Sequence, residues 1–544
     1  MDKTLWQIIE KEVKRQEETL ELIPSENFVD LETLFIVGSP LMNKYAEGYP
    51  GKRYYPGNKF IDEIENLAKE RALKAFKLNP NEWSVNVQPY SGSPANLAVY
   101  LALAEPGETI MGLNLFHGGH LTHGHKVSYT GKLFNSIQYR VKAQTYAELT
   151  QNYAEKYKTQ AIHGQDTDKA RTEYEQDTDR IRTRHGQNAD GTDKDIKSEP
   201  SVSSPFKSVV SDMSVLSPKE SVFFETIDYD ELEKLAFEYK PKIIISGTTA
   251  YPRIIDFKRI YQIAKKIKAY HIADIAHIAG LVVANLHPSP FPYADVVTMT
   301  THKTLRGPRG AVIFMKKELE EKINKSVFPG LQGGPHIHTI AGIAYAFGRT
   351  LKKDFYNYQK QIIRNAMILA EELKKRGFKL YTNGTDNHLM IIDLKPLTSQ
   401  INTDFEYTQI HADNKTTRIN AENNQRKSAY ELNQRKSACL TPQRSSTSVG
   451  KIAEELLERA NIVANRNSLP SDTSPFNPSG IRLGTAAITS RGMKEKEMKI
   501  IAEFFERILI KKEKPEKIKK EIVNLTKKFP LVYKKWLSKI KNIL

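Results

Sequence analysis

The chain has 544 residues, of which 39% are hydrophobic, and it carries a formal net charge of +17. This length predicts two to four domains, and the absence of an uncharged apolar run of about 18 residues argues against a membrane-spanning helix. The single cysteine, Cys439, argues against a disulfide framework and a cysteine-ligated zinc site; the N-terminal residues lack the apolar core of a signal peptide, so we expect a cytoplasmic location.

Residues 1–30 are predicted to form an N-terminal arm, and the chain that follows alternates short apolar runs with helical patterns. Four runs are rich in Ile and Val and too short for buried helices, at 108–115, 241–247, 270–276 and 295–301. Residues 257–270 show helical periodicity between two of these runs. Strands that alternate with helices predict an α/β fold with a mainly parallel sheet, which binds ligands at the carboxyl ends of its strands. We assign this large domain to residues 31–335.

Two stretches interrupt the pattern, at 142–221 and 399–448. The first repeats the tripeptide HGQ, and the second repeats the hexapeptide NQRKSA. Low hydrophobicity, repetition and few aromatic residues leave little from which to build a core. We interpret both stretches as surface insertions, disordered or partly helical, and we predict no metal site in the chain.

Residues 336–510 are predicted to form a smaller C-terminal domain, and residues 511–544 a basic helical tail. The tail contains twelve Lys and three Glu. Its apolar residues Ile518, Ile522 and Leu525 recur at helical spacing, which predicts an amphipathic helix with a solvated basic face. A tail that binds RNA or a membrane surface is the alternative interpretation.

The most informative segment is VVTMTTHKTLRGPRG at 296–310, in which a predicted buried strand leads into Lys303. A lysine at the end of an apolar strand is costly unless it is neutral, paired or used covalently. Burial lowers the pKa of a lysine, and a lysine that forms a Schiff base needs a lowered pKa. A lysine whose ammonium group extends to solvent from the strand end is the structural alternative.

Two further segments contain side chains suited to a bound cofactor. Asp274 lies in the apolar run at 270–276, where a carboxylate could keep a pyridinium nitrogen protonated and make pyridoxal phosphate an electron sink. Ser91, Gly92 and Ser93 precede a predicted helix. The N–H groups and hydroxyls at such a helix N-terminus could bind a phosphate.

A histidine-rich segment at 113–125 allows two interpretations. The spacing of His117, His120 and His123 is compatible with a zinc site, but the paired glycines predict a loop and no cysteine lies nearby. We favour an imidazole that stacks on a flat cofactor ring.

Eight motifs together resemble the serine hydroxymethyltransferase family, in that family's order. They are LIPSENF (22–28), NKYAEGYPGKRYYPG (43–57), QPYSGSPAN (88–96), LFHGGHLTHG (115–124), DIAHIAGL (274–281), TTHKTLRGPRG (300–310), FPGLQGGP (328–335) and SGIRLGTAAITSRG (479–492). The resemblance implies a fold-type-I enzyme that depends on pyridoxal phosphate, with a mainly parallel seven-stranded sheet in the large domain and a smaller α+β C-terminal domain. It also implies reversible transfer of the hydroxymethyl group of serine to tetrahydrofolate, giving glycine and 5,10-methylenetetrahydrofolate.

The resemblance assigns cofactor-binding roles to individual residues. Lys303 would bind pyridoxal phosphate covalently, with Asp274 under the pyridine nitrogen and His120 stacked on the ring. The residues expected at the phosphate and at the ring substituents are Ser91, Gly92, Ser93, Thr249, His277, His302 and Gly334. Arg309 would help position the loop around the lysine.

The resemblance also assigns substrate-binding roles. Arg482, assisted by Ser25, would bind the substrate carboxylate, which suits a bidentate guanidinium. Glu47 would shuttle the proton of the serine hydroxyl, with the hydroxyls of Tyr45 and Tyr55 nearby. The segment that contains these three residues would otherwise be interpreted as a surface loop. Because the family builds its site across a homodimer, which can pair into a dimer of dimers, this segment would reach the partner's cofactor.

Tetrahydrofolate is expected between two loops. Its predicted contacts are Leu115, Gly119, His120, Leu121, Asn467, Ser474, Pro475 and Phe476. Two alternatives stay open: a folate-independent aldolase that cleaves threonine and other β-hydroxy amino acids, and a former enzyme whose basic tail and insertions bind RNA or another partner. The folate-loop motifs favour the transferase, so we expect neither a nucleic-acid nor a membrane partner.

Overall fold

The computed structural model describes residues 2–145, 223–401, 448–474 and 476–543. The chain divides into two units, Met1–Arg140 with Tyr229–Leu544, and Val141–Asp228. Within the described ranges, no helix combines the length and apolar character that crossing a bilayer requires.

A sheet of seven strands dominates the first unit. From edge to edge the strands are β4 (Trp83–Asn86), β12 (Ala311–Lys316), β11 (Val296–Thr300), β10 (Tyr270–Asp274), β9 (Ile243–Gly247), β5 (Thr109–Leu113) and β6 (Asn135–Tyr139). Only β12 runs against the direction of the others. The prediction of an α/β fold with a mainly parallel seven-stranded sheet is confirmed.

The strands β9 and β11 are buried along their whole length, which explains their composition. Every residue of β9 and of β11 is buried, and most are Ile, Val, Thr or Met. Strands buried on both faces need helices on both faces. The helices of this region are α1 (Lys3–Glu18), α2 (Leu31–Val37), α3 (Lys59–Ala75), α4 (Gly92–Leu103), α5 (Tyr129–Leu133), α6 (Tyr229–Tyr239), α7 (Phe257–Lys266), α8 (Ala279–Val283), α9 (Glu320–Lys325) and α10 (Ile337–Thr350).

A second, antiparallel sheet follows along the chain. In spatial order its strands are β13 (Lys379–Leu380), β14 (Leu389–Asp393), β17 (Gly480–Gly484) and β16 (Asn465–Asn467). The accompanying helices are α11 (Lys353–Lys375), α12 (Thr398–Ile401), α13 (Val449–Arg459), α14 (Ala486–Ser490) and α15 (Glu495–Leu509). Apolar side chains of this sheet and these helices share one buried cluster. The predicted domain boundaries at residues 335 and 510 stay predictions.

Two short strand pairs complete the first unit. Strand β1 (Leu20–Glu21) runs parallel to β15 (Ile462–Val463), which brings the end of the predicted N-terminal arm beside α13 and its following turn. Strands β2 (Gly48–Tyr49) and β3 (Lys52–Arg53) form a small hairpin.

The basic C-terminal segment forms two helices, α16 (Pro515–Lys527) and α17 (Tyr533–Ile543). In α16 the apolar residues Ile518, Ile522 and Leu525 are buried, whereas the lysines are exposed. The helix is therefore amphipathic, with a solvated basic face.

The described part of the second unit is an antiparallel hairpin of β7 (Val141–Thr145) and β8 (Phe223–Ile227). The predicted insertion at 142–221 thus begins inside strand β7. Its remainder with the HGQ repeat, and residues 402–447 with the NQRKSA repeat and Cys439, lie outside the described residues.

Candidate active site

Lys303 lies three residues beyond the carboxyl end of β11 and is only 8% exposed. Burial lowers the pKa of Lys303 to about 8; the carboxylate of Asp274 acts in the opposite direction, and the guanidinium groups of Arg482 and Arg309 lower the pKa further. The amide of Asn27 donates a 2.8 Å hydrogen bond to the Lys303 carbonyl. The amine can therefore lose its proton close to neutral pH, as a nucleophilic lysine must.

Asp274 ends β10, the strand beside β11, so its carboxylate emerges at the same sheet edge as Lys303. Oδ2 accepts hydrogen bonds from Asn96 Nδ2 at 2.8 Å and from His123 Nε2 at 3.2 Å, and Oδ1 accepts one from the Ala276 N–H at 2.9 Å. Burial alone would raise the pKa of Asp274, but these hydrogen bonds and the nearby histidines lower it well below its usual range. The carboxylate is ionised, as the predicted partner of a pyridinium nitrogen must be.

His120 is held by Thr122 in the loop that follows β5. Its Nδ1 accepts hydrogen bonds from the Thr122 hydroxyl at 2.7 Å and from the Thr122 N–H at 3.2 Å. The proton of the neutral ring is therefore on Nε2. Burial lowers the pKa of His120 to about 4, so the ring is uncharged at neutral pH. The preceding Gly118 has a φ of +98°, and a Cβ at Gly119 would overlap the Leu113 carbonyl oxygen, so the loop requires both glycines.

The predicted phosphate site lies at the start of α4. Ser91 is the N-cap, but its hydroxyl makes no capping hydrogen bond, and Pro94 has no N–H. The N–H groups of Gly92 and Ser93 lie in the first turn of α4, where no carbonyl of the helix is available to accept their hydrogen bonds. A Cβ at Gly92 would lie 2.9 Å from the Thr300 side chain, so this turn packs tightly against the end of β11.

His302 supports the assignment of an anion site here. Its Nδ1 is buried and has no hydrogen-bond partner among the residues described by the structure. Burial lowers the pKa of His302 to about 3, and the charges of Arg309 and Lys303 act in the same direction. Arg309 itself is exposed. An orphaned nitrogen beside Lys303, with the free donors of α4 nearby, fits a phosphorylated cofactor.

His277 pairs with His388, a residue that the sequence did not indicate. His277 Nδ1 and His388 Nε2 are 3.3 Å apart, and the two rings stack with centroids 5.5 Å apart. Burial and the charges of Lys303 and Arg482 lower the pKa of both imidazoles, that of His388 to about 3. Both rings are neutral, so one donates to the other.

Arg482 lies on β17 and is 7% exposed, yet it forms no ion pair with a carboxylate among the described residues. Nη1 donates to the Thr249 carbonyl at 2.6 Å and Nε to Asn465 Oδ1 at 3.2 Å. Burial lowers the pKa of Arg482 to about 10. A buried guanidinium that lacks a counterion suits an incoming carboxylate. Ser25 is half-buried and lies in the loop after β1. Pro24 of this loop packs against Gly484, the last residue of β17, so the loop lies at the end of the strand that contains Arg482.

A second group of predicted residues stands apart from Lys303. The hydroxyl of Tyr45 donates to Glu47 Oε1 at 3.3 Å, and the rings of Tyr45 and Tyr55 meet edge to face with centroids 5.0 Å apart. A Cβ at Gly334 would lie 3.1 Å from the Tyr45 ring, so Gly334 belongs to this group. In the described part of the chain, no hydrogen bond or ring contact joins these residues to Lys303 or Asp274.

The two predicted folate loops are linked through Thr249. Its N–H donates to the Gly118 carbonyl at 2.8 Å, and its carbonyl accepts from Arg482, which also binds Asn465 on β16. The predicted folate contacts therefore lie on two connected segments. Pro475 lies outside the described residues, and the contacts that the structure describes are Leu115, Gly119, His120, Leu121, Asn467, Ser474 and Phe476. Leu121 and Phe476 are exposed, Phe476 by 89%.

The histidine-rich segment at 113–125 supplies a hydrogen bond to Asp274 in this structure. His123 binds the carboxylate, and its ring lies 5.7 Å from that of His120. No group of three or more His, Cys, Asp or Glu side chains that could hold a metal ion occurs in the described residues. From the sequence, His123 is considered only as a zinc ligand. Asn96 is included in the motif at 88–96 but is assigned no role there, because its partner Asp274 lies 178 positions away in the chain.

A buried lysine and an ionised aspartate at neighbouring strand ends, beside a helix N-terminus, define the fold-type-I class of enzymes that depend on pyridoxal phosphate. The family model described as serine hydroxymethyltransferase matches residues 1–182, 185–430 and 437–505. The chain belongs to this family of transferases, which interconvert serine and glycine with pyridoxal phosphate in one-carbon metabolism.

Proposed function

We propose that this enzyme binds pyridoxal phosphate covalently at Lys303 and transfers the hydroxymethyl group of serine to tetrahydrofolate. The products are glycine and 5,10-methylenetetrahydrofolate. The observation that carries the proposal is the pairing of Lys303, whose pKa is about 8, with the ionised Asp274 at the ends of adjacent strands.

The residues around Lys303 fit the parts of the cofactor. When bound, pyridoxal phosphate accepts the electrons of a bond that breaks at the substrate α-carbon. Asp274 would hold a proton on the ring nitrogen, and the neutral His120 would cover the ring face. His277 would donate to the ring oxygen. The phosphate would be bound by the first turn of α4, with the residues Ser91, Gly92 and Ser93, by His302 and, across a dimer, by Gly334.

The substrate is proposed to bind through its carboxylate at Arg482, with Ser25 beside it. Cleavage of the Cα–Cβ bond of serine releases the hydroxyl proton, and Glu47 is suited to take it. The hydroxyl of Tyr45 donates to that carboxylate, and the ring of Tyr55 packs against the ring of Tyr45. Since no hydrogen bond or ring contact joins this group to Lys303 within the described part of its own chain, we propose that it serves the cofactor of a second copy in a homodimer.

Tetrahydrofolate is proposed to lie between the 115–121 loop and the 467–476 segment. The exposed apolar side chains of Leu121 and Phe476 suit the flat pterin and aryl groups of a folate. The link from Gly118 through Thr249 to Arg482 would connect folate binding to the carboxylate site.

The test combines colour, covalent labelling and substrate response. We expect the purified protein to be yellow, and borohydride to fix the cofactor on the peptide that contains Lys303. Adding glycine together with tetrahydrofolate should produce a strong new absorption band that neither compound produces alone. A colourless protein would refute cofactor binding, and cleavage of threonine without a folate effect would identify an aldolase instead.

A further inference from the structure

Asn96 is a buried amide that connects the two residues expected to contact the cofactor ring. It lies on α4, one turn after the predicted phosphate site, and is 1% exposed. Its Nδ2 donates to Asp274 Oδ2 at 2.8 Å and to Thr122 Oγ1 at 2.9 Å. Its Oδ1 accepts from the Thr298 hydroxyl at 2.7 Å. Helix α4, strand β11 and the loop after β5 therefore converge on one side chain.

The donors and acceptors of this network allow a single arrangement. An ionised carboxylate only accepts, so the NH₂ group of Asn96 must face Asp274. Its second hydrogen then points to Thr122 Oγ1, so the Thr122 hydroxyl proton is left for His120 Nδ1. The oxygen of the amide faces Thr298, whose hydroxyl donates. Every hydrogen has one acceptor, and buried networks that are fully satisfied are rigid.

We propose that Asn96 is a positioning residue for the cofactor, one that sets the rotamer of Asp274 and, through Thr122, the tautomer of His120. This inference rests on the proposed function, because it assumes that pyridoxal phosphate binds at these two residues. Asn96 touches neither substrate nor cofactor in this proposal. Its role is to aim one oxygen of Asp274 at the ring nitrogen and to keep the Nε2 proton on His120.

The decisive variant is Asn96→Leu, which preserves approximate volume and removes all three hydrogen bonds. A hydrogen bond to a charged group is strong enough for its loss to shift an equilibrium about 10- to 100-fold. We expect the dissociation constant of pyridoxal phosphate, measured by titration of the cofactor-free protein, to rise at least about 10-fold. We also expect the pH at which the bound cofactor changes its absorption spectrum to shift, because the Asp274 carboxylate at the ring nitrogen loses a hydrogen bond that stabilises its ionised form.

Two milder variants separate the arms of the network. Thr122→Val removes the hydroxyl between Asn96 and His120 and should weaken cofactor binding less than Asn96→Leu does. Thr298→Val is close to isosteric and removes only the donor that orients the amide. If Asn96→Leu does not fold, Thr298→Val provides the test, with a smaller loss of affinity in the same direction.

The matched control is Asn365→Leu. Asn365 is also fully buried and donates to Thr489 Oγ1 at 2.9 Å and to the Met493 carbonyl at 3.0 Å, without contact to Asp274 or His120. We expect this variant to lower the melting temperature of the cofactor-free protein but to keep the cofactor affinity of the parent. Wild-type affinity and an unchanged pH titration in Asn96→Leu and Thr298→Val would overturn the inference, as would an equal loss of affinity in Asn365→Leu. A wild-type protein that does not bind the cofactor would instead refute the proposed function.

Discussion

At the scale of single residues, burial of the Lys303 amine lowers the free energy of unfolding of the cofactor-free protein. In an unfolded chain this amine titrates near 10.5, whereas burial lowers its pKa to about 8 in the folded state. Between these pH values the unfolded state binds more protons, so the free energy of unfolding rises with pH through this window. Below pH 8 the full penalty applies, on the order of 3 kcal/mol.

Replacing Lys303 with Met should therefore stabilise the cofactor-free protein at pH 7. We expect the free energy of unfolding in urea to rise by ~3 kcal/mol at pH 7, and most of this gain to disappear by pH 10. Lys519→Met, at an exposed position of α16, is the control and should change stability little at either pH. A gain of the same size at both pH values would show that the apolar side chain, and not the removed charge, is responsible.

The residue scale also shows what sequence reasoning could reach. Lys303 and Asp274 were predictable because Asp274 ends a recognisable apolar strand and Lys303 follows the end of another, and parallel strands present their ends at one edge. His388 and Asn96 were not, because their roles depend on partners more than 100 positions away in the chain. His123 stood in a recognised motif, but no local pattern could show that its acceptor is Asp274.

At the scale of elements, the strands β5, β9, β10 and β11 lie within the apolar runs predicted for them. Each strand is shorter than its run by two or three residues. Beyond β10 the apolar residues Ile275 and Ala276 are buried in the following loop, so a buried loop residue looks like strand in the sequence. The runs themselves did not predict β4, β6 or β12; the number seven followed from the family resemblance. The helix predicted at 257–270 ends earlier, at Lys266. A turn in which Lys268 has a positive φ then leads into β10 at Tyr270.

The hairpin β2–β3 positions Glu47 and Tyr55, and its stability depends on a buried ion pair. Arg53 binds Glu65 at 2.7 Å and Asp62 at 2.9 Å, and it donates to the backbone carbonyls on both sides of Glu47. The side chains of Arg53 and Glu65 are almost inaccessible to solvent. Removing one partner of such a pair leaves an unpaired buried charge.

We expect Arg53→Met to lower the free energy of unfolding by about 3–5 kcal/mol. The double variant Arg53→Met with Glu65→Met should recover a large part of this loss, since the inaccessible carboxylate of Glu65 is then removed together with its partner and only the more exposed Asp62 loses Arg53. Urea unfolding of the two single variants, the double variant and the parent measures the coupling. If the two single losses simply add in the double variant, the ion pair does not hold the hairpin.

At the scale of the whole molecule, the proposal that Glu47 serves the cofactor of a second copy leads to a prediction about assembly. In a homodimer with shared sites, a subunit with Lys303→Met and a subunit with Glu47→Gln would combine into one intact and one doubly altered site. Random mixing of the two variants should then restore about a quarter of the wild-type activity, although each variant alone is inactive. Mixtures that stay inactive while size-exclusion chromatography shows dimers would mean that each chain supplies its own Glu47.

The role of the two predicted insertions is also a question about the whole molecule. The family match extends through most of both insertions, so whether the folded enzyme needs them has to be tested. The register of β7 and β8 places Thr145 opposite Phe223, so a two-residue Asn-Gly turn can join these ends. Ile401 and Val449 belong to the same buried cluster, so a short Gly/Ser linker can replace residues 402–447. The entropic cost of closing a loop increases only slowly with loop length, so long surface insertions are tolerated. We therefore expect the doubly shortened protein to be soluble and yellow, with a melting temperature within a few degrees of the parent's. Each single deletion serves as the control for the other; a colourless or insoluble product from either one would show that the removed segment contributes to the folded enzyme.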